Sequence, residues 1–454
     1  MTAYAVRIIA AFLTFLYTML SLATCTAEQA SEAQVAALEE SVPIGASGPV
    51  TVTILQPRAD IGKALQESAD FFLESTGSDA RIHIQTVNGQ AAYRGALRAR
   101  LLSGEQVDLF HIFGARDLAE LSPYVKELSE DLPWAGEAME GLLDPVSAGE
   151  KIYGIPYAVE GVGLIANASM FEAAGISLAE INTFQDLTEA FLSLRQEIDG
   201  GALEESFPRL EAVTEFPAHD KVFVGEQLVD IALTGVFSTP QQASQAVLLG
   251  LMHGEAVEEY IRNMARYCVT KGDWGALNQI TKSRQVEDGI ASGRVAVIQQ
   301  NVNIASGVHR VDKDISRQLT LLPIPLEGME QGSVYVGAPS YWAVNKGASP
   351  ESARVAGEFL TWLYQSEAGA MVLADQFSAI SPYRETAKST GFSLHSQLLA
   401  YIGQGRALPW IHAETPTGWG DDVFRASLQE YLADTMDWEQ MQAAVMEGWG
   451  GLLS

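Results

Sequence analysis

The sequence predicts an α/β protein of two open lobes, and three observations carry that expectation. Strand-like and helix-like segments alternate from residue 50, a Gly/Pro-containing joint interrupts them at 151–157, and 454 residues suit two or three domains with cores of their own. Val50-Thr51-Val52-Thr53-Ile54-Leu55 is a β-branched run closed by Gln56-Pro57-Arg58, a strand and then a loop. Ile61, Leu65, Phe72 and Leu73 follow at helical spacing. Arg81 to Val87 is a second strand. Tyr93, Leu97 and Leu101 mark a second helix closed by Gly104, and Val107 to Phe113 is a third strand. This is the order of an open parallel sheet, in which ligands bind at the loops beyond the strands' C-terminal ends.

Tyr153-Gly154-Ile155-Pro156-Tyr157 and then Val162 to Asn167 read as two short strands at a passage between domains. A helix from Ala168 to Ala174 ends at Gly175, and Thr183 with Asp186 makes a capping box for a helix through Arg195. Residues 200–290 read as largely helical, with 201–216 an irregular surface insertion. A helix from Gln285 to Ser292 ends at Gly293. Arg294 to Gln299 is a strand with a polar end in Gln300, Asn301 and Asn303. Leu319 to Leu322 and Tyr341 to Val344 add strands, and helices dominate from Pro350. Crossings between the lobes are expected near 157–161 and 333–340.

Lys and Arg number 28 against 57 Asp and Glu, a net charge of −29, although only 19% of residues are charged. Such a surface repels phosphate backbones and anionic headgroups, which excludes nucleic acid as a partner. With 47% hydrophobic residues the chain has enough apolar surface to fold.

Ile8 to Leu22 is an uncharged apolar run behind Arg7, short for a membrane span of about 20 residues and suited to an export signal. Leu22-Ala23-Thr24-Cys25 is similar to a bacterial lipobox, with Thr24 where Gly, Ala or Ser is usual. Cleavage after Ala27 is the soluble alternative. Residues 1–25 are thus expected to be a lipoprotein-like signal with Cys25 the lipidated residue, and 26–49 a flexible tether. The expected location is periplasmic or cell-surface, anchored through Cys25. Cys268, the second of two cysteines, lies in a helix-like stretch and reads as a buried small residue.

No phosphate-binding loop, G-x-G-x-x-G or G-x-S-x-G motif is present. The seven histidines show no H-x-H or H-E-x-x-H spacing, so no metal or cofactor is expected. Adjacent acids such as Glu204/Glu205 do not face each other on a helix, and nothing nominates a catalytic centre.

Tyr153-Gly154-Ile155-Pro156, then Asn167, Phe171, Ala174, Gly175 and Ile176, resemble the bacterial extracellular solute-binding proteins of family 1. These are sugar receptors of ABC importers, related to the maltose-binding protein. Thr183-Phe184-Gln185-Asp186-Leu187, Gly293 to Val297, Ser349 to Leu363 and Ser366 to Arg384 extend the likeness over most of 50–450. The 200–220 stretch and Gln299-Gln300-Asn301 depart from it. The resemblance implies a periplasmic-binding-protein (Venus flytrap) fold, two α/β domains joined by a hinge. Its first lobe would comprise 50–156 and about 305–335, and its second 157–304 and 336–454.

It implies a monomeric, non-enzymatic receptor that closes over a sugar or oligosaccharide and delivers it to ABC permease subunits. A non-sugar solute in the same fold, or a secreted carbohydrate-active enzyme, are the alternatives. Ligand contacts are expected from Gln56, Arg58, Gly114, Ala115 and Arg116 in the first lobe, and from Tyr157 and Glu160 at the crossing. The second lobe would add Gln300, Asn301, Asn303, Tyr341, Trp342 and Arg384, with Trp410 and Trp419 as aromatic platforms. Arg58, Arg116 and Arg384 together would mark an anionic ligand.

Overall fold

Residues 48–251, 253–327, 332–387 and 390–453 are described by the computed structural model. The expected export signal and Cys25 lie outside them. Strands β1 (Thr51–Gln56), β2 (Arg81–Thr86) and β3 (Leu109–Ile112) pair in parallel, with Ile54 opposite both Ile84 and Leu109. β1 is buried from Val52 to Gln56, as a parallel strand covered on both faces must be. The crossover helices α1 (Gly62–Thr76) and α2 (Gln90–Ser103) bury Leu65, Ala69 and Phe72 in one case and Tyr93, Leu97 and Leu101 in the other. Both stop at a left-handed glycine, Gly77 and Gly104, as the sequence predicts for Gly104. A short helix, α3 (Ala115–Leu121), follows β3. Asp108 precedes β3 and accepts hydrogen bonds from Thr53 N and Gln106 Nε2, both at 2.8 Å, while burial raises its carboxyl above the usual range.

The hairpin β4 (Ser147–Ala148) and β5 (Lys151–Ile152) leads into β6 (Ile155–Pro156) and β7 (Glu160–Asn167). β6 ends the first sheet, whereas β7 is the middle strand of the second. The Asn167 side chain accepts from Ser169 N and Met170 N and starts the next helix. The expected Thr183–Asp186 capping box opens α4 (Phe184–Asp199). The irregular 201–216 stretch is not wholly on the surface, since it contains β8 (Ala212–Thr214), buried at the edge of the second sheet. Three residues between acids are too few to display a strand's period. Helix α5 (Pro240–Gln245) and strand β9 (Val295–Asn301) follow.

Strands β10 (Leu319–Leu322) and β11 (Val334–Gly337) both pair antiparallel with β7. β12 (Tyr341–Val344) instead lies antiparallel between β3 and β6. The first sheet therefore runs β2-β1-β3-β12-β6. The second runs β13-β11-β7-β9-β8, with β13 (Ala407–Pro409) at its edge and β10 on β7. This pairing corrects the expected division at both places. The segment 305–335 packs with the second sheet, because β10 and β11 complete the backbone hydrogen bonding of β7. Residues 341–383 belong to the first, where α6 (Pro350–Gln365) buries Val355, Phe359 and Leu363 in one core with Val52 and Trp342. The chain returns to the second lobe beyond Tyr383, and Leu394, Leu398 and α7 (Trp438–Gly451) pack there.

Three of the expected ligand aromatics, Tyr157, Trp342 and Trp419, are fully buried inside these cores. Trp342 is fully buried, with Nε1 donating to Tyr364 Oη at 3.0 Å and its ring 3.8 Å from that of His111. Trp419 is likewise buried, with Nε1 donating to Val445 O at 2.8 Å and its ring edge-on to Trp449. Each is placed by packing, since a large ring with one satisfied N–H fills space that water does not reach. Cys268 is buried and free, and burial pushes its thiol up to about 11, in keeping with an inert core residue. Truncating either Trp342 or Trp419 to alanine is expected to cost about 3–5 kcal/mol of unfolding free energy. Denaturant melts of the two variants check this, and a loss below about 1 kcal/mol would return that ring to the ligand-contact set.

Candidate functional site

Expected site residues from both lobes meet at two neighbouring places. The first surrounds the passage at Tyr157. Gln56, buried at the end of β1, holds the following loop, accepting from Arg58 N at 2.7 Å and donating to Arg58 O at 2.8 Å. This places the Arg58 guanidinium 5.3 Å from the centroid of the Tyr157 ring, where it also pairs with Asp60 at 2.6 Å. Glu160, at the start of β7, accepts from Asn301 Nδ2 at 2.8 Å and Asn303 Nδ2 at 3.2 Å and lies within electrostatic range of Arg58. Arg58, Glu160, Asn301 and Asn303 are therefore brought together beside Tyr157, whose own ring is fully buried. Gln300 is not among them. It is fully buried and bonded to Gln227, Gln285 and the Asn301 amide.

The second place is a cavity of about 470 Å³, inside the range of small-molecule sites. Phe113, Asp144 and Tyr341 line it from the first lobe, and Gly337, Trp410 and Glu414 from the second. Trp410 is half-buried and lies flat on β11, because Gly337 has no side chain. A Cβ there would sit 2.6 Å from the indole. Its neighbour His412 is held by Asp230, whose Oδ1 accepts from Ile411 N at 2.7 Å and His412 N at 2.8 Å and whose Oδ2 meets His412 Nδ1 at 2.8 Å. Burial opposes protonation of His412, but Asp230 and then Glu226 outweigh it and push its pKa up to about 9.

Glu414 is buried, and burial is the main reason its carboxyl is pushed up to about 7. Its oxygens accept from Ala115 N at 2.7 Å and Arg116 N at 2.9 Å, at the start of α3 in the first lobe. The Arg116 side chain donates to Glu414 O at 3.0 Å and 3.2 Å and to Ser244 O at 3.3 Å. Arg384 is exposed, beside Gly403, and does not line the cavity. The three arginines expected to mark an anionic ligand thus do not converge. Sequence reasoning missed Glu414 and Asp144 as cavity-lining groups and Asp230 as the partner of His412. In a chain with 57 acids, no spacing singles them out.

A more open groove of about 810 Å³ lies within the second lobe, between Gly175–Ala179 and the segment bearing Tyr401, and no expected site residue lines it. Among the described residues no group of three or more His, Cys, Asp or Glu is placed to hold a metal ion, and no helix is long and apolar enough to cross a membrane.

The bacterial extracellular solute-binding protein family matches residues 67–393, and the chain belongs to that family. Apo RafE from Streptococcus pneumoniae superposes with a TM-score of 0.67 at 14% identity, covering 90% of this chain and 100% of that one. The binding protein MsmE of Bacillus subtilis, in an open conformation, gives 0.69 at 17% identity over 90% and 99% of the two chains. Maltose-bound MalE3 of T. maritima gives 0.63 at 15% identity over 89% and 100%. At these identities the likeness is one of fold, the two-lobed solute-binding architecture. No curated protein sequence matches the chain.

His412 and Glu414 both hold a proton more tightly in the folded protein than in the unfolded chain. The stability each contributes is fully present below its unfolded pKa and is lost as pH rises through the folded one. For Glu414 the window runs from 4.5 to about 7, and for His412 from 6.5 to about 9. The unfolding midpoint is therefore expected to fall between pH 6.5 and 9, by a stability loss of up to about 3 kcal/mol from His412. Calorimetry of wild type and His412→Gln checks this, the variant losing the upper part of the slope. An unchanged slope would mean that His412 carries no such charge.

Proposed function

We propose that the protein is the receptor of an ABC importer, capturing a sugar or oligosaccharide between its lobes and presenting the closed form to membrane permease subunits. It acts as a monomer, without cofactor or catalysis, outside the cytoplasmic membrane, anchored through a lipid on Cys25. The observation that carries the reading is the cavity of about 470 Å³ with Trp410 laid across Gly337 as one wall and Tyr341 as another. Sugar rings present C–H faces to such aromatic surfaces and hydroxyls to carboxylates and backbone groups. The scattered positions of Arg58, Arg116 and Arg384, two of them already bonded within the protein, favour a neutral solute over an anionic one. Family membership supports solute binding, and RafE and MalE3 have been solved with raffinose and maltose.

The division into lobes that this reading uses is residues 50–156 with about 341–383, and about 160–337 with 394–453. A hinge would lie where the chain passes between them. Closure is favoured only by contacts that the open form lacks. The test is a thermal-shift screen of residues 50–454 against mono- and oligosaccharides, polyamines, amino acids and phosphate esters, followed by calorimetric titration. A sugar at a hundredfold excess over its Kd is expected to add about 2.7 kcal/mol of stability. Trp410→Ala should weaken that sugar at least tenfold while the unliganded protein stays folded. Stabilisation by a charged solute with all sugars silent would replace the sugar reading.

A further inference from the structure

We infer that the cavity bearing Trp410 and Tyr341 is built for an amino sugar, its ammonium held by Asp144 and Glu140 and its ring by the aromatic walls. The inference rests on the proposed sugar-binding cleft and names the class of sugar it takes. Two consecutive tight turns bring Glu140 and Asp144 to the same cavity, one closed by Leu142 N on Met139 O at 3.2 Å and one by Asp144 N on Gly141 O at 3.4 Å. Gly141 permits this coil, since its backbone is left-handed, with φ at 80°. Desolvation, and then the charge of Glu140, raise the Asp144 carboxyl above its usual range. Neither acid makes an ion pair among the described residues, and no Lys, Arg or His of those residues lines the cavity. Glu414 stands apart, because its carboxylate is already bonded to Ala115 N and Arg116 N. The charge left facing a solute is that of Asp144 and Glu140.

Tyr341 is a second and independent observation. It is only 3% exposed, yet it lines the cavity, and its hydroxyl makes no hydrogen bond to any described residue. Burial, and then the charges of Glu414 and Asp144, raise its phenol, so it presents a neutral hydroxyl to the cavity within electrostatic range of Asp144. A buried hydroxyl without a partner is costly until a polar group of the solute meets it. Carboxylates also accept from sugar hydroxyls, but a neutral sugar that displaces water from two neighbouring carboxylates leaves their charge unbalanced. An ammonium balances that charge and donates to both. The aromatic walls act in the same direction, since indole and phenol faces attract a cation as well as the C–H face of a sugar. An anionic sugar would meet repulsion from the same two acids.

The experiment is calorimetric titration of the protein with glucosamine, galactosamine and the β-1,4-linked glucosamine trisaccharide. Each is set against its parent sugar, which has a hydroxyl in place of the amine, and against its N-acetyl form, which keeps the nitrogen without the charge. At slightly acidic pH one of the amines is expected to bind about tenfold more tightly than both of its counterparts. Added salt should reduce that preference, and so should a pH high enough to deprotonate the amine. Asp144→Asn and Glu140→Gln should each lower the ratio of amine to parent affinity about fivefold, with thermal melts showing that both variants fold. Equal binding of amine and parent overturns the inference and leaves the sugar reading standing. An amine preference that both variants retain also overturns it, since the ammonium is then read elsewhere. Ethanolamine, an amine without a ring, binding as tightly as the amino sugar would overturn the inference and the sugar reading together. If no sugar of any kind binds, the sugar reading fails and this inference with it.

Discussion

The structure depends on the short passage from Pro156 to Glu160. Three residues join the edge strand of one sheet to the middle strand of the other, so the position of Tyr157 sets where both lobes begin. That position is strongly determined. Tyr157 N donates to Ser340 O at 2.9 Å, Tyr364 Oη donates to Tyr157 O at 2.8 Å, and the ring packs edge-on to His111 and Trp342. Val159 N then bonds Ile380 O at 2.9 Å, tying the outgoing passage to the segment that later returns. The joint thereby fixes where the edge strand of the first sheet and the middle strand of the second lie relative to each other.

Behind the cleft, the walls are stiffened by polar groups that never meet solvent. In the second lobe Gln227, Gln285, Gln299 and Gln300 form a buried amide network, to which Tyr260 donates at 2.7 Å. In the first, His111 meets Ser340 Oγ at 2.7 Å, and burial holds its ring neutral, with a pKa pushed down to about 3. The amide network, whose members bond one another, holds its side chains in a single arrangement. The cleft itself is different in kind. Glu160 and Asp230 are held by groups of other elements in their own lobe, whereas Glu414 takes its hydrogen bonds from the first lobe, so its arrangement depends on how the lobes meet.

The acidity of the chain has its own distribution. Many of the cations are tied down locally, as in Arg354 with Glu358 and Arg317 with Asp314, and such exposed pairs contribute little to stability. What they leave is a surface of uncompensated carboxylates that keeps molecules apart and repels anionic polymers.

By itself the sequence determined whatever local periodicity and backbone chemistry encode. The β-branched run at 50–55, the helical spacing of Tyr93, Leu97 and Leu101, the stop at Gly104, and the Thr183–Asp186 cap are consequences of neighbouring residues and appear where expected. Asn301 and Asn303 were also legible as the polar end of an apolar strand, and the fold brings both to Glu160. Only the tertiary structure decided which sheet each later strand joins. Leu319–Leu322 and Tyr341–Val344 are equally apolar, and just their pairing partners tell them apart. The same limit sent Trp342 and Trp419 to the cores and left Trp410 at the cavity, since three tryptophans near loops carry one signature in sequence and differ only in what packs over them. Glu414 is the extreme case. One acid among 57 acquires a role because two amides almost three hundred positions earlier in the chain are folded against it.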